Sequence, residues 1–142
     1  MRPAALVDTG FLVALLNRSD EWHQPCVHVF QNTKLPLLTS EAVLTELFFL
    51  LASRRIPLAG TWKFVRSGSI LLASTTTDDF PALQELMARY HDRPMDFADA
   101  TLVHLAQRES LSTILTFDHD DFETYRIGHR KRFTILPERL TR

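Results

Sequence analysis

The sequence predicts an α/β protein built on a parallel sheet with helices on both faces. Two observations carry that reading. Short, continuously apolar runs recur along the chain, and stretches of helical spacing separate them. A strand covered on both faces is apolar on successive residues instead of alternate ones, and these runs are of that kind. Crossovers of one hand then bring the carboxyl ends of the strands to a single rim.

The elements follow in order. Ala4 to Val7 reads as the first strand. Phe11 to Leu16 is an apolar helix that Asn17-Arg18-Ser19-Asp20 ends, and Trp22 to Gln31 resumes helical spacing with Trp22, Cys26, Val29 and Phe30 on one face. Leu35 to Leu38 is the second strand. Thr39 or Ser40 caps the next helix, which carries Val43, Leu44, Leu47, Phe48, Leu50 and Leu51 before Arg54, Arg55 and Pro57 end it. A helix over roughly 57–67 and a strand over Ile70 to Ala73 come next. Thr77 or Asp78 caps a helix bearing Phe80, Leu83, Leu86, Met87 and Tyr90. Beyond the turn His91 to Pro94, a helix opens at Asp99 and runs to Arg108. The strand Thr113 to Thr116, an acidic loop, and a last strand from Phe133 to Leu136 stopped by Pro137 complete the chain. Strand order is not written in this pattern.

With 142 residues the chain fits one domain, 1–142, long enough to bury a proper core. A hydrophobic share of 45% and a charged share of 23% are those of an ordinary globular protein. The net charge of -1 creates no global positive field, so any attraction for nucleic acid must come from a local patch. Cys26 is the only cysteine, which excludes an internal disulfide, fits a reducing compartment and suits a small apolar side chain packed on a helix. No signal-peptide core and no apolar stretch near the ~18 residues of a membrane span is present, so a cytoplasmic, membrane-free protein is expected.

Four acids stand out by position. Asp8 follows the first strand in Val7-Asp8-Thr9-Gly10, where it serves either a metal or the cap of the next helix. Thr9 shares that ambiguity, its hydroxyl being also suited to ordering a water. Glu46 interrupts a run in which nearly every neighbour is apolar, so it marks either the solvent-facing line of the helix with Ala42 and Phe49 or a functional position. The functional position is favoured, because Phe49 makes a poor solvent stripe and a glutamate is seldom buried without a partner. Asp96 and Asp99, three apart at a helix start, are either caps and favourable first-turn charges or ligands aimed at one crevice. Asp118 comes first after the Thr113 strand, with Thr116 placed to hydrogen-bond a carboxylate, whereas Asp120 and Asp121 read as an ordinary acidic surface. Carboxylates at strand ends converge on one crevice of an open sheet. Crowded like charges need a hard divalent cation, so the quartet Asp8, Glu46, Asp99 and Asp118 points to a metal-dependent hydrolase.

These pieces, in this order, resemble the PIN-domain family, and most closely its VapC-type toxin ribonucleases. The resemblance runs through Val7-Asp8-Thr9-Gly10, Thr45-Glu46, Asp96-Phe97-Ala98-Asp99-Ala100 and Leu115-Thr116-Phe117-Asp118 to the closing strand, nearly the whole chain. It departs at Gly10, where many members carry serine or asparagine. The family implies a three-layer α/β/α sandwich, one or two Mg²⁺ or Mn²⁺ ions, and endonucleolytic cleavage of single-stranded RNA. By that resemblance Asp8, Glu46, Asp99 and Asp118 are the catalytic and metal-holding acids, with Thr9, Asp96 and Thr116 supporting. It further implies a homodimer silenced by an antitoxin protein.

RNA at an acidic site needs positive side chains nearby. Arg126, His129, Arg130, Lys131 and Arg132 follow the acidic loop, with Arg54 and Arg55 next; the alternative for 130–132 is a solvated turn. Trp22, His23 and Tyr125 are stacking candidates or simple packing residues. His104, amid apolar neighbours, reads as structural. Competing readings are a PIN nuclease in RNA processing, another metal-dependent phosphoesterase, and a catalytically silent RNA- or protein-binding domain. The absence of a Gly-rich phosphate loop argues against nucleoside triphosphate chemistry.

Overall fold

A computed structural model describes residues 2–139 of the chain. Five strands, β1 (Ala5–Val7), β2 (Leu37–Ser40), β3 (Ile70–Ala73), β4 (Thr113–Leu115) and β5 (Thr134–Leu136), form one all-parallel sheet in the order β3-β2-β1-β4-β5. Seven helices flank it: α1 (Thr9–Leu16), α2 (His23–Gln31), α3 (Glu41–Ser53), α4 (Leu58–Arg66), α5 (Phe80–Arg89), α6 (Phe97–Arg108) and α7 (His119–Thr124). This is the three-layer α/β/α sandwich. The central strands are apolar on both sides because both sides are covered, and Leu6, Val7, Leu37, Ile114 and Leu115 are fully buried. α1 packs on α2 and α3, and α5 on α6. None of the described helices is long and apolar enough to cross a membrane.

The chain winds outward from β1 to β3, then jumps back across β1 to start β4. Strand order therefore reverses between β1 and β4, and the crevice beyond their carboxyl ends is the natural binding place of such a sheet. Paired registers of Leu6 with Ile114 and Val7 with Leu115 put Asp8 and Thr116 side by side at that crevice.

Several element bounds differ from expectation, and three of the differences have a plain local reason. β2 starts at Leu37 instead of Leu35 because Pro36 has no N–H to give the ladder, whereas Leu37 N donates to Ser69 O at 2.8 Å. α6 opens at Phe97, not Asp99: Asp96 is its N-cap and accepts from Asp99 N at 2.8 Å. The acidic segment after β4 is the helix α7, capped by Asp118 with Asp120 and Asp121 in its first turn, where negative charge is favourable. Cys26 is fully buried, and burial pushes its thiol up to about 12, which leaves it a packing residue.

Candidate metal centre

Each acid reaches the crevice through the element that holds it. Asp8 leaves β1 and caps α1, accepting from Thr9 N at 2.8 Å through Oδ1, while its Oδ2 accepts from Thr116 Oγ1 at 2.8 Å. Thr116 Oγ1 in turn accepts from Asp118 N at 3.0 Å, so one buried hydroxyl joins the ends of β1 and β4. Asp99, third residue of α6 and 9% exposed, accepts at Oδ2 from Tyr125 Oη at 2.9 Å. Capping and site roles are thus compatible: a carboxylate oxygen that accepts one hydrogen bond keeps a second lone pair.

Asp99, Asp118 and Asp121 each offer an oxygen within 4.8 Å of the others, a spacing that a single cation can bridge. Asp8 and Glu46 stand outside this tight group, yet the charge of Asp8 reaches it. Burial raises the Asp99 carboxyl to about 8, helped by the charges of Asp8, Asp96 and Asp118 and opposed by the Tyr125 hydroxyl. Desolvation and then the close contact with Asp121 carry Asp118 up to about 6. Burial lifts Asp8 above the usual carboxylate range against the pull of Thr116 and Thr9, with Asp96 and Asp121 adding to the rise. Glu46, half-buried on α3, rises through desolvation and the charges of Asp96 and Asp8. It faces Asp96 across an open groove that also includes Ala42, Thr45, Phe97 and Ala98.

This donor set fits a divalent metal. The donors are hard oxygens, three of them converge, and their ionised forms are destabilised by one another in the absence of positive charge. Thr9 Oγ1 is buried with no hydrogen-bond partner among the described residues, a hydroxyl left for a water or ligand. The one protein cation bonded to the cluster, among the described residues, is Arg93, whose Nη1 donates to Asp121 Oδ1 at 2.9 Å.

Other candidates fall elsewhere. Arg126 spends its Nη1 on the carbonyls of Glu123, Thr124 and Tyr125, closing the end of α7. Arg130, Lys131 and Arg132 are exposed on a turn closed by Ile127 N donating to Lys131 O at 2.8 Å, and Arg54 is exposed at the end of α3. Tyr125 is fully buried against Tyr90 and Phe122, so it cannot stack on a base. His23 Nδ1 bonds Ala14 O, and His104 Nε2 bonds Asp79 Oδ1, both at 2.9 Å.

The reading of Asp121 as an ordinary acidic surface is corrected here, since its carboxylate belongs to the cluster. A signal for it was present: Asp118-x-x-Asp121 repeats the cap-and-third-residue spacing of Asp96-x-x-Asp99. Tyr125 and Arg93 left no comparable mark, because their partners are distant in sequence or lie across a turn.

Comparison with known proteins bears on the family and the fold. The model of the PIN domain matches residues 5–127. Ribonuclease VapC26 of Mycobacterium tuberculosis is 26% identical over 142 residues, spanning 93% of this chain and 99% of the relative. The crystal structure of VapC20 of the same organism, described as a sarcin-ricin loop cleaving toxin, matches with a TM-score of 0.73 at 26% identity, over 82% of this chain and 91% of that one.

Proposed function

The chain belongs to the PIN-domain family, and on that premise we propose that it is a VapC-type toxin, an endoribonuclease that cuts single-stranded RNA with Mg²⁺ or Mn²⁺. The observation that carries this is the convergence of Asp99, Asp118 and Asp121 oxygens at the crevice where the strand order reverses. In this reading residues 1–142 act as one nuclease domain.

Asp99 and Asp118 would hold the ion, with Asp121 as a third donor and Asp8 and Glu46 completing the acidic ring. When bound, a divalent ion supplies a water of lowered pKa and positive charge opposite the phosphate under attack. The residues of the chain do the rest. Tyr125 holds one oxygen of Asp99 and leaves the other for the crevice, while Thr116 and the Thr9 amide fix the two oxygens of Asp8. Asp96 fixes the first turn of α6, and Thr9 keeps an unpaired hydroxyl beside Asp8 for a water. Arg130, Lys131, Arg132 and Arg54 are the exposed cations available to the RNA backbone.

An antitoxin protein and a second copy of the chain are the proposed protein partners, in the cytoplasm. The support for a dimer is apolar surface on neighbouring helices: Phe49 is 70% and Trp62 53% exposed, with Trp62 against Phe48 at 4.8 Å between ring centroids.

Cleavage of a mixed RNA pool tests the reading. Wild type with Mg²⁺ or Mn²⁺ yields fragments bearing 5′-phosphate and 3′-hydroxyl ends, while EDTA or Asp99→Asn lowers the rate at least about a hundredfold. Fragments ending in 2′,3′-cyclic phosphate, or cleavage indifferent to EDTA, refute it.

A further inference from the structure

Beside the carboxylates lies a cavity of different chemistry. About 470 Å³ in volume, it is walled by Trp22, Pro25, Phe117, His119 and the segment Pro137-Glu138-Arg139, which brings one carboxylate and one guanidinium to its edge. Phe117 and His119 are the chain neighbours of Asp118, so this cavity adjoins the acidic rim. Trp22 is 37% exposed and lies 5.4 Å from Phe117 between ring centroids, tilted by 39°. Phe117 is itself braced on the fully buried Phe11, 6.1 Å away. The indole therefore presents aromatic surface on a rigid support.

The surrounding charges decide what this cavity takes. Arg139 is paired with Asp120 and Glu123, Arg93 is paired with Asp121, and Arg126 is committed to backbone carbonyls. Cations near the carboxylates are thus already engaged, and a polyanion gains little from them on approach. A neutral planar group escapes that repulsion and gains from stacking. Because every base has a π-face, one base stacked on an aromatic side chain strengthens binding by roughly tenfold or more.

We propose that this cavity is a base-binding subsite: it takes one unpaired nucleobase of single-stranded RNA, stacked on Trp22, and so seats a neighbouring phosphodiester at the carboxylates. This rests on the ribonuclease reading above. Trp22 is then a substrate-binding residue with no part in the chemical step.

Steady-state cleavage of a single-stranded ribo-oligonucleotide in Mg²⁺ by wild type, Trp22→Phe and Trp22→Ala tests it. Trp22→Ala is expected to raise KM about tenfold with kcat within about twofold, and Trp22→Phe to keep KM within about threefold of wild type. An unchanged KM in Trp22→Ala overturns the proposal. A second measurement uses Trp62→Phe, which leaves Trp22 as the only tryptophan of the two. Its fluorescence is titrated with the same oligonucleotide and with a base-free ribose-phosphate chain of equal length. Saturable quenching by the first alone is expected; no quenching, or equal quenching by both, overturns the proposal. RNA that quenches Trp22 but is never cut keeps the subsite and sinks the nuclease reading, whereas normal cleavage by Trp22→Ala sinks the subsite alone. Should Trp22→Ala leave KM unchanged yet dissociate a dimer in sedimentation, the occupant is a second copy and the proposal fails.

Discussion

Asp99 answers two opposed demands. It must be buried to be held rigidly, and it must be ionised to bind a cation. Burial among other acids favours its protonated form, up to about 8, and only the Tyr125 hydroxyl at 2.9 Å pulls the other way. Tyr125→Phe is therefore expected to destabilise the metal-free protein by about 1–3 kcal/mol, by stranding a buried acceptor. It should also weaken Mn²⁺ binding, since the Asp99 carboxyl then releases its proton less readily. Urea unfolding in EDTA and calorimetric Mn²⁺ titration at pH 8 measure the two effects. A Mn²⁺ affinity equal to wild type would show that Tyr125 does not position Asp99. Of the acids at the crevice, Asp8, Asp99 and Asp118 are legible in the sequence because each sits at a strand end or helix start. Asp121 reads from the sequence as ordinary surface, because a solvated acid on a helical first turn and one that joins a cluster look alike until the partner carboxylates are placed.

Element boundaries here are set by side chains that do double duty. Ser40 ends β2, caps α3 by accepting from Val43 N at 3.3 Å, and accepts from Thr101 Oγ1 of α6 at 2.8 Å. All of this is buried, so the one hydroxyl ties the Glu46 helix to the Asp99 helix. Ser40→Ala is predicted to cost about 1–2 kcal/mol, measured as a lower urea midpoint with unchanged slope. The same economy sets α6 earlier than composition suggests and makes a helix of the acidic segment 119–124. Asp96 and Asp118 lie outside the helices they cap, so a helix that begins at the cap's successor looks, from composition, like a later start or a loop.

For the whole molecule, the raised acids set a pH dependence with a definite sign. Asp99 and Asp118 keep their protons in the folded protein to higher pH than in the unfolded chain. Their contribution to stability is full below the ordinary carboxylate range and is lost as pH rises through about 6 for Asp118 and about 8 for Asp99. Asp79, Asp120 and Glu123 are shifted down by hydrogen bonds, first from the Thr76 backbone for Asp79 and from Arg139 for the other two, so their opposite effect is confined to lower pH. Between pH 5 and 8 the melting temperature in EDTA should therefore fall. Mn²⁺ should stabilise more at pH 8 than at pH 5, where protons compete for the same oxygens. Scanning calorimetry of wild type and Asp99→Asn checks this. The variant is expected to show a shallower fall, and a wild-type melting temperature that rises over this interval would contradict the charge arrangement.

The sequence by itself determined the class of fold, since continuous apolar runs alternating with stretches of helical spacing are the pattern of a doubly covered parallel sheet. It also marked the acids, because charge at the ends of such runs is conspicuous against its neighbours. Tertiary structure alone decided which acids meet. The order β3-β2-β1-β4-β5 sets the end of β1 beside the end of β4, although 108 residues separate Asp8 from Thr116. Strand order depends on how helix layers pack across the sheet, a long-range matter that local periodicity does not encode. That packing also brought Asp121 and Tyr125 to Asp99, and Trp22 to Phe117.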